Sequence, residues 1–568
     1  MYNILGLNFG HDGAAAVLKD GRLACAISNE RLSRKKKASG VTREMIQYVL
    51  DAAGLTLDDI DFVAFAGFSY SPDNVVKILD TSGTEVTSNT EWRTRREELI
   101  GERMTIESLT EVEGKRFKSV FVNHHMAHAA AAYYTSPFDR SACFTLDGSR
   151  GRPEGCSLFA YGEGNKLHYY SCPGVMVGNA YSEFTRKLGL GSGLSKAGTT
   201  MALASYGRPV DGALRRWRYY GQSYYRRFRY CQPSDNVFTN LMWSDFSGLP
   251  PHTVLAREQS DSQRAMDIAA SLEYVFERTI LANAVELYAR TKDFNGGNLC
   301  LSGGSFLNAN ANTLLKKESH FDRLHLFPGC GDDGTAVGAA LYLAHHRLGL
   351  PRVSYAPCEY TYTGRTYTTA APRGERYHAR AVAREISQGK IVAFFHGGSE
   401  FGPRALGHRS IFADPRNPRM KDILNSRVKH REWFRPFAPI VLSEKAGEWF
   451  EIDFESKLML FIVPILDPRA LPAVAHVDGS ARLQTVTRDD DPKLYDLIAA
   501  FDAITGVPVI LNTSLNDNDE PLVETPEEAL RFFDSHDVDL LVLEDRVFQK
   551  EIVGGSVKLN DSASAPLH

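Results

Sequence analysis

His124 and His128 stand four residues apart in "NHHMAHAAAAYY" (123–134), a stretch whose alanines favour helix. At that spacing both imidazoles leave one helix face and can reach a single ion. An ordinary surface or core helix face accepts the same pair, so the spacing alone decides nothing. Two carboxylates change the reading. Asp147 ends the apolar run "ACFTLDG", and Asp332 lies in "GCGDDGTAVGAA" with glycine on both sides. Each aspartate alone suits a turn. Together, two His and two Asp form a donor set suited to a borderline divalent ion such as Fe(II), Mn or Zn.

Glycine turns offer a second chemistry. Asp12-Gly13 and Asp147-Gly148 follow strand-like runs and could bring backbone amides to phosphate oxygens, although either alone reads equally as a hairpin turn. In "LSGGSFLNANAN", Gly303-Gly304 marks a strand-to-helix turn whose helix N-terminus would receive an anion. Asn308 and Asn312 follow one turn apart, positioned for a ribose or base. A third feature is basic. From Arg404 to Arg435 there are seven Arg and two Lys against three acids, net +6 in a chain of net −4. Several of these arginines sit in turns beside Gly402, Pro403, Gly407 and Pro436, a fixed geometry that suits bidentate phosphate binding. The strand-like "VPVILNTSLN" empties into Asn512, Thr513 and Ser514, and "HVDGSARLQTV" adds Arg482. The Arg- and aromatic-rich run 213–235 fits an amphipathic surface helix better than a single-stranded nucleic-acid site.

These residues need a scaffold. "NILGLNFGHDGAAAVLKDGRLACAIS" reads as strand, turn, strand, a "KDG" hairpin and strand, and "VTREMIQYVLDAAGL" as a helix. After "IDFVAFAG" and "FKSVFVNH" comes the Ala-rich helix, then a second strand-turn-strand at "ACFTLDG…CSLFAYG". The two units, ending in "HDG" and "LDG", suggest two related halves of one domain. Alternating strands and helices give an α/β class. With 568 residues, two domains are expected: residues 1–355, a Pro/Gly/Tyr/Thr-rich linker at 356–375, a second α/β domain at 376–555, and a flexible tail at 556–568. The near-neutral charge argues against a global pull towards nucleic acid or an anionic membrane. Eight scattered cysteines without a CxxC pair, no basic leader at the start and no long apolar run give the expectation of a cytoplasmic protein with reduced thiols.

Taken in order, "HDGAAAVLKDGR", "ERLSRKK", "HHMAHAAAAYYTSPF", "TLDG", "LSGGSFLNANAN", "GDDGTAVGAA", "EFGPRALGHRSIFADPR", "VKHREWFRPFAP", "DGSARLQTV" and "LNTSLNDNDEPLVETPEEAL" resemble the O-carbamoyltransferase family of antibiotic and nodulation-factor biosynthesis. The resemblance implies an actin/sugar-kinase-like first domain, similar to the tRNA threonylcarbamoyl transferase, and a threonylcarbamoyl-adenylate synthase-like second domain. It implies carbamoyl phosphate and ATP as co-substrates, with carbamate passing internally to become carbamoyl-adenylate and then to reach a hydroxyl of a small natural product, such as an antibiotic sugar. It places an Fe(II)-type ion on His124, His128, Asp147 and Asp332. His11 would be the base, and Lys36 or its neighbour Lys35 would meet the adenylate. Gly303, Gly304, Asn308 and Asn312 would contact the nucleotide, and Arg404, Lys429, Arg435, Arg482, Asn512 and Ser514 the carbamoyl phosphate. Loops at 70–92 and 213–250 would shape the acceptor pocket. Partners are then small molecules rather than nucleic acid or membrane, with a homodimer as an allowed assembly; a tRNA-modifying threonylcarbamoyl transferase is the alternative. Two runs depart from the family pattern: "GRMEFGPRALG" appears as "GGSEFGPRALG", with Gly398 replacing a basic residue, and "GKVMGLAPYG" as "SKAGTTMALASYG".

Overall fold

The computed structural model describes residues 2–67, 75–79, 104–148, 157–175, 177–218, 237–368, 374–553 and 556–559. Most of the expected acceptor loop at 70–92, and most of the Arg-aromatic run 213–235, lie outside these described residues. The chain divides into two compact units, Met1–Asn29 with Lys37–Tyr355, and Glu30–Lys36 with Ala356–His568. The seven residues Glu30–Lys36 therefore fold with the second unit, which the sequence did not announce.

The first unit holds two sheets of one design. In the first, β1 (Ile4–Asn8), β2 (Ala14–Lys19) and β3 (Arg22–Ser28) form an antiparallel meander, and β4 (Phe62–Ala66) joins parallel to β1. Strands β5 (Val76–Leu79), β6 (Thr105–Val112) and β7 (Lys115–Val122) extend it to the order β3-β2-β1-β4-β7-β6-β5. The second has β8 (Arg140–Leu146), β9 (Ser157–Glu163), β10 (Lys166–Ser171), β11 (Asn298–Ser302) and β12 (Arg323–Leu326) in the order β10-β9-β8-β11-β12. Again three antiparallel strands are followed by parallel neighbours. The duplication expected from "HDG" and "LDG" is thus present in the two strand orders. Local chemistry sets the turns. Asp20 and Gly21, both at positive φ, make the two-residue β2–β3 hairpin. Helix α1 (Arg43–Ala53) is capped by Thr42 at one end and by left-handed Gly54 at the other.

Two helices lie between the sheets. Helix α2 (His124–Thr135) leaves β7 of the first sheet yet packs on β8, β9 and β11 of the second. Later in the chain come α3 (Gln263–Thr291), α4 (Ala309–Glu318) and α5 (Gly334–Leu341). Helix α5 follows the second sheet and packs on β1, β2 and β4 of the first, and also against α2. Every residue of α5 is buried, as is nearly all of α2. Only small residues allow this: a Cβ added at Gly338 would lie 1.8 Å from the Ala127 carbonyl oxygen, and one at Gly6 would lie 2.2 Å from that of Ala336.

In the second unit, β13 (Glu375–Arg376), β14 (Val392–Phe395), β15 (Arg409–Ala413), β16 (Ala438–Leu442), β17 (Ile462–Pro464), β18 (Ser480–Arg482), β19 (Gln484–Val486), β20 (Val509–Ser514), β21 (Leu540–Leu543) and β22 (Arg546–Val553) follow in sequence. The main sheet runs β13-β22-β21-β14-β15-β20-β16-β19, and β17 pairs with β18 apart from it. Two expectations are corrected. The linker read at 356–375 is folded over its described part: Pro357–Thr361 is helical, Tyr360 and Thr361 are buried, and the Phe401 and Gly364 amides bond Thr361 and Ser399 carbonyls. Its lack of periodicity reflects a packed irregular segment. The tail read at 556–568 begins with a strand, Ser556–Leu559, paired to β22; residues 560–568 lie outside the described residues. None of the six described cysteines forms a disulfide, and no described helix is long and apolar enough to cross a membrane.

Replacing Gly338 with alanine should force α2 and α5 apart. Overpacking of this kind costs about 1–3 kcal/mol, so the denaturant midpoint should fall accordingly; an unchanged midpoint would refute the contact.

Candidate active sites

The interleaving of α2 and α5 brings four donors together. His124, His128, Asp147 and Asp332 each offer an atom within 4.8 Å of the others. His124 Nε2 lies 3.5 Å from Asp147 Oδ2 and 3.4 Å from Asp332 Oδ1, and His128 Nε2 lies 3.8 and 3.4 Å from the same atoms. Donors about 2.1 Å from a common first-row ion stand at such separations. Three elements deliver these four residues. The histidines open α2 behind the Asn123 cap, Asp147 follows β8, and Asp332 precedes α5. Behind the donors, His128 Nδ1 meets Ser302 Oγ at 3.2 Å, and the Asn8 amide donates to the backbone carbonyls of Asp12 and Asp332. Two atoms of the quartet, His128 Nε2 and Asp332 Oδ1, are buried without a hydrogen-bond partner. Unpaired donor atoms converging at these separations fit a bound cation.

The electrostatics agree. Burial alone would lower His124, but Asp332 and Asp147 outweigh it and carry the imidazole to about 10. Asp147 is itself held well below the usual carboxylate range: burial opposes ionisation, and the facing imidazoles of His124 and His128 overcome it. His11 borders the quartet, with Nε2 3.2 Å from Asp332 and Nδ1 3.4 Å from Asp12. The hydrogen bond to Asp12 chiefly raises it, against burial and with help from Asp332, to about 9. His11 is therefore not the unperturbed imidazole that its sequence context suggests; cationic charge placed on Asp332 would act against that shift.

The lysine at this centre is Lys37, whose Nζ lies 2.7 Å from Asp12 Oδ2. Lys36 and Lys35, the two expected residues, belong to the second unit. Gly303 takes φ +103, where a Cβ would strike the Leu146 carbonyl at 2.2 Å, and a Cβ on Gly304 would come within 2.9 Å of Asp147 Oδ1. These glycines keep the Asp147 carboxylate uncovered. The helix end beyond them is not open as expected. One 3₁₀ turn, Gly304–Leu307, intervenes, and Asn308 caps α4 by accepting from Ala311 N. Asn308 also donates to Glu273 at 2.9 Å, while Asn312 is fully buried and donates to the Phe306 carbonyl. Both amides shape the turn, and Asn312 has no surface to offer a nucleotide.

In the second unit the cations assemble. Burial lowers Arg482 well below its ordinary range, and Arg404, Arg431 and Arg435 lower it further. Lys429 is lowered by burial and then by Arg431, Arg435 and Lys36. Its Nζ donates to the Ser514 carbonyl at 2.9 Å and to Asn516 Oδ1 at 2.6 Å. Arg404, Lys429, Arg435 and Arg482 are therefore neighbours, with Ser514 bonded to Lys429. Asn512 is buried beside Arg404: its amide donates to the Ala405 carbonyl, and its Oδ1 has no partner. Arg482 Nε is likewise buried without a partner. Crowded buried cations with few acids make a site for a compact anion.

Three participants here were not read from sequence. Arg431 sits two residues from Lys429, held by Asn425 Oδ1 at 2.8 Å. Glu400 Oε1 accepts from the amides of Leu406, His408 and Arg409, fixing the turn that carries Arg404. Arg31, nearly fully buried, clasps the Glu400 and Gly402 carbonyls. For Glu400 the available signal was a buried-type acid in a glycine-rich basic run.

Residues 3–341 match the family model described as "Carbamoyltransferase N-terminus", and residues 383–550 match "Carbamoyltransferase C-terminus". The chain belongs to the carbamoyltransferase family. Similar relatives include the nodulation protein NolNO of Sinorhizobium fredii, 33% identical over 95% of this chain and 79% of that protein. An uncharacterized protein of Synechocystis sp. is 34% identical over 97% of both chains. The 3'-hydroxymethylcephem-O-carbamoyltransferase of Amycolatopsis lactamdurans is 28% identical over 95% of this chain and 98% of its own. The family thus includes O-carbamoyltransferases. A ROK family glucokinase from Streptomyces griseus is similar in structure at a TM-score of 0.26 and 15% identity, over 60% of this chain and 98% of that one, too slight a likeness to argue from.

The donor quartet predicts that Asp332→Asn lowers affinity for Fe2+ by at least about 100-fold, and that Ser302→Ala, which only unseats His128, lowers it about 10-fold. Equilibrium dialysis reads both; equal affinities across the three proteins would remove the quartet as a metal site.

Proposed function

We propose that this carbamoyltransferase is an ATP-dependent O-carbamoyltransferase acting on a hydroxyl of a small natural product. The observation that carries the reading is the His2Asp2 quartet, with two orphaned buried donor atoms and a glycine-lined approach to Asp147. The anion pocket of the second unit supports it. Its cations suit the phosphate of carbamoyl phosphate, and the unpartnered Oδ1 of Asn512 suits the carbamoyl NH2.

Water cleaves carbamoyl phosphate to carbamate and phosphate in the second unit. Arg404, Arg431, Arg435, Arg482 and Lys429 there bind the substrate and neutralise charge on the departing phosphate. Carbamate and ATP then give carbamoyl-adenylate and pyrophosphate in the first unit. A divalent ion held by His124, His128, Asp147 and Asp332 would supply positive charge against the ATP phosphates. The acceptor hydroxyl attacks the carbamoyl carbon and AMP leaves. With a cation on Asp332 offsetting its upward shift, neutral His11 takes the hydroxyl proton, and Asp12 at Nδ1 steadies the imidazolium that results. Lys37, paired with Asp12, holds that carboxylate ionised. The named cephem relative makes a hydroxymethyl-bearing natural product a reasonable first acceptor.

Protein incubated with carbamoyl phosphate, ATP and a panel of hydroxylated metabolites should release AMP and pyrophosphate and add one carbamoyl group to an acceptor, read by mass spectrometry. Acceptor-dependent ADP without a carbamoylated product would overturn the proposal. Arg431→Ala should slow carbamoyl-phosphate consumption by about 100-fold while ATP binding, read by calorimetry, stays intact. Unimpaired consumption would move the anion site elsewhere.

A further inference from the structure

The second unit holds another group of metal-type donors. His396, His408 and Asp491 each offer an atom within 4.8 Å of the others. Strand register explains the meeting. Phe395 of β14 pairs with Leu543 of β21 on one side and with Arg409 of β15 on the other. His396 comes next after Phe395, Glu544 next after Leu543, and His408 just before Arg409 on the antiparallel strand. Three side chains thus reach one edge of three adjacent strands. Asp491 arrives from the N-cap of the helix Pro492–Thr505, its Oδ1 accepting from the Lys493 and Leu494 amides at 3.0 Å each.

Protonation logic then limits what these groups can do. His408 Nδ1 lies 2.6 Å from the Gly398 carbonyl oxygen, which only accepts, so Nδ1 carries the hydrogen. In a neutral ring Nε2 is bare, and it faces Asp491 Oδ2 at 3.2 Å. Two lone pairs cannot face each other at that distance unless positive charge lies between them. Asp491 is 2% exposed, and its Oδ2 has no hydrogen-bond partner. His396 lies between two carboxylates: its Nδ1, buried without a hydrogen-bond partner, faces Glu544 Oε2 at 3.4 Å, and its Nε2 turns to Asp491 at 3.9 Å. An imidazole held at Nδ1 by a carbonyl or carboxylate, with Nε2 offered forward, is the outer-shell pattern of metal-bound histidine. Tyr362 stacks on the His408 ring at 3.6 Å and locks its plane.

We propose that His396, His408 and Asp491 form a second divalent-cation centre, suited to the zinc or ferrous class of ion, with Gly398 and Glu544 orienting the two imidazoles. Its role is positional. Gly398 and His408 bracket the turn that carries Arg404, so an ion at His408 fastens that turn. The competing occupant is a single proton, which would make His408 and Asp491 a plain ion pair.

The test uses full-length protein stripped with chelator and titrated with Co2+ alone in equilibrium dialysis. The variant His124→Ala/His128→Ala, which leaves the second unit untouched, should still bind one Co2+ per chain and show its visible absorption band. Adding Asp491→Asn, which keeps the cap acceptor and removes the charge, should weaken that binding by at least about 10-fold; an unchanged unfolding midpoint verifies the fold. Failure of His124→Ala/His128→Ala to bind Co2+, or binding indifferent to both Asp491→Asn and His396→Gln, would leave the proton as occupant and overturn the proposal. Neither outcome depends on which acceptor the enzyme carbamoylates.

Discussion

The ion-type quartet of the first unit depends on how closely two helix backbones can approach. Helix α2 leaves one sheet and covers the other, and α5 does the reverse, so the two must cross in the narrow space between. Gly338 over the Ala127 carbonyl sets that distance. The alanines of "HAAAA" thus do more than favour helix: they keep α2 thin enough for His124 and His128 to meet an aspartate placed just before α5. Packed interiors relax little, so even a methyl added at Gly338 would be felt at the imidazoles.

The second unit handles charge in the opposite way. Two like unit charges 4 Å apart repel by about 4 kcal/mol at a partly buried site, and here several cations share one neighbourhood. Such crowding persists only when the surrounding structure holds it. Backbone carbonyls do much of the holding: Lys429 is tied to Ser514 and Asn516, Arg431 to Pro436, and Arg31 to Glu400 and Gly402. A bound dianion would relieve repulsion already stored in the fold, which is how a site can favour one charge state of ligand without a deep hydrophobic wall.

Much of this was legible in sequence where a feature is local. The "KDG" hairpin, the capped helix after it and the paired half-domains follow from turn chemistry and period. The His2Asp2 set was legible because its members mark the start of an alanine-rich helix, the end of a strand and a glycine turn before a helix. What escaped depends on distant partners. Nothing in "ERLSRKK" reveals that Arg31 and Arg34 bond carbonyls 371 and 488 residues away. A shift of one residue in a turn separates Lys37, which meets Asp12, from Lys36, which belongs to the second unit. At Asn308 a helix cap and a nucleotide contact call for the same side chain, so the sequence does not foretell the cap on the Ala311 amide.

Glu30–Lys36 gives the two units an unusual covalent relation. A single peptide cleavage between Tyr355 and Ala356 would not yield two separate pieces, because a heptapeptide born in one unit is built into the body of the other. Swapping either half between homologues as a cassette therefore transplants a foreign strap into its host. Recombination within such a lineage would be tolerated only where the strap and the carbonyls that receive Arg31 and Arg34 travel together.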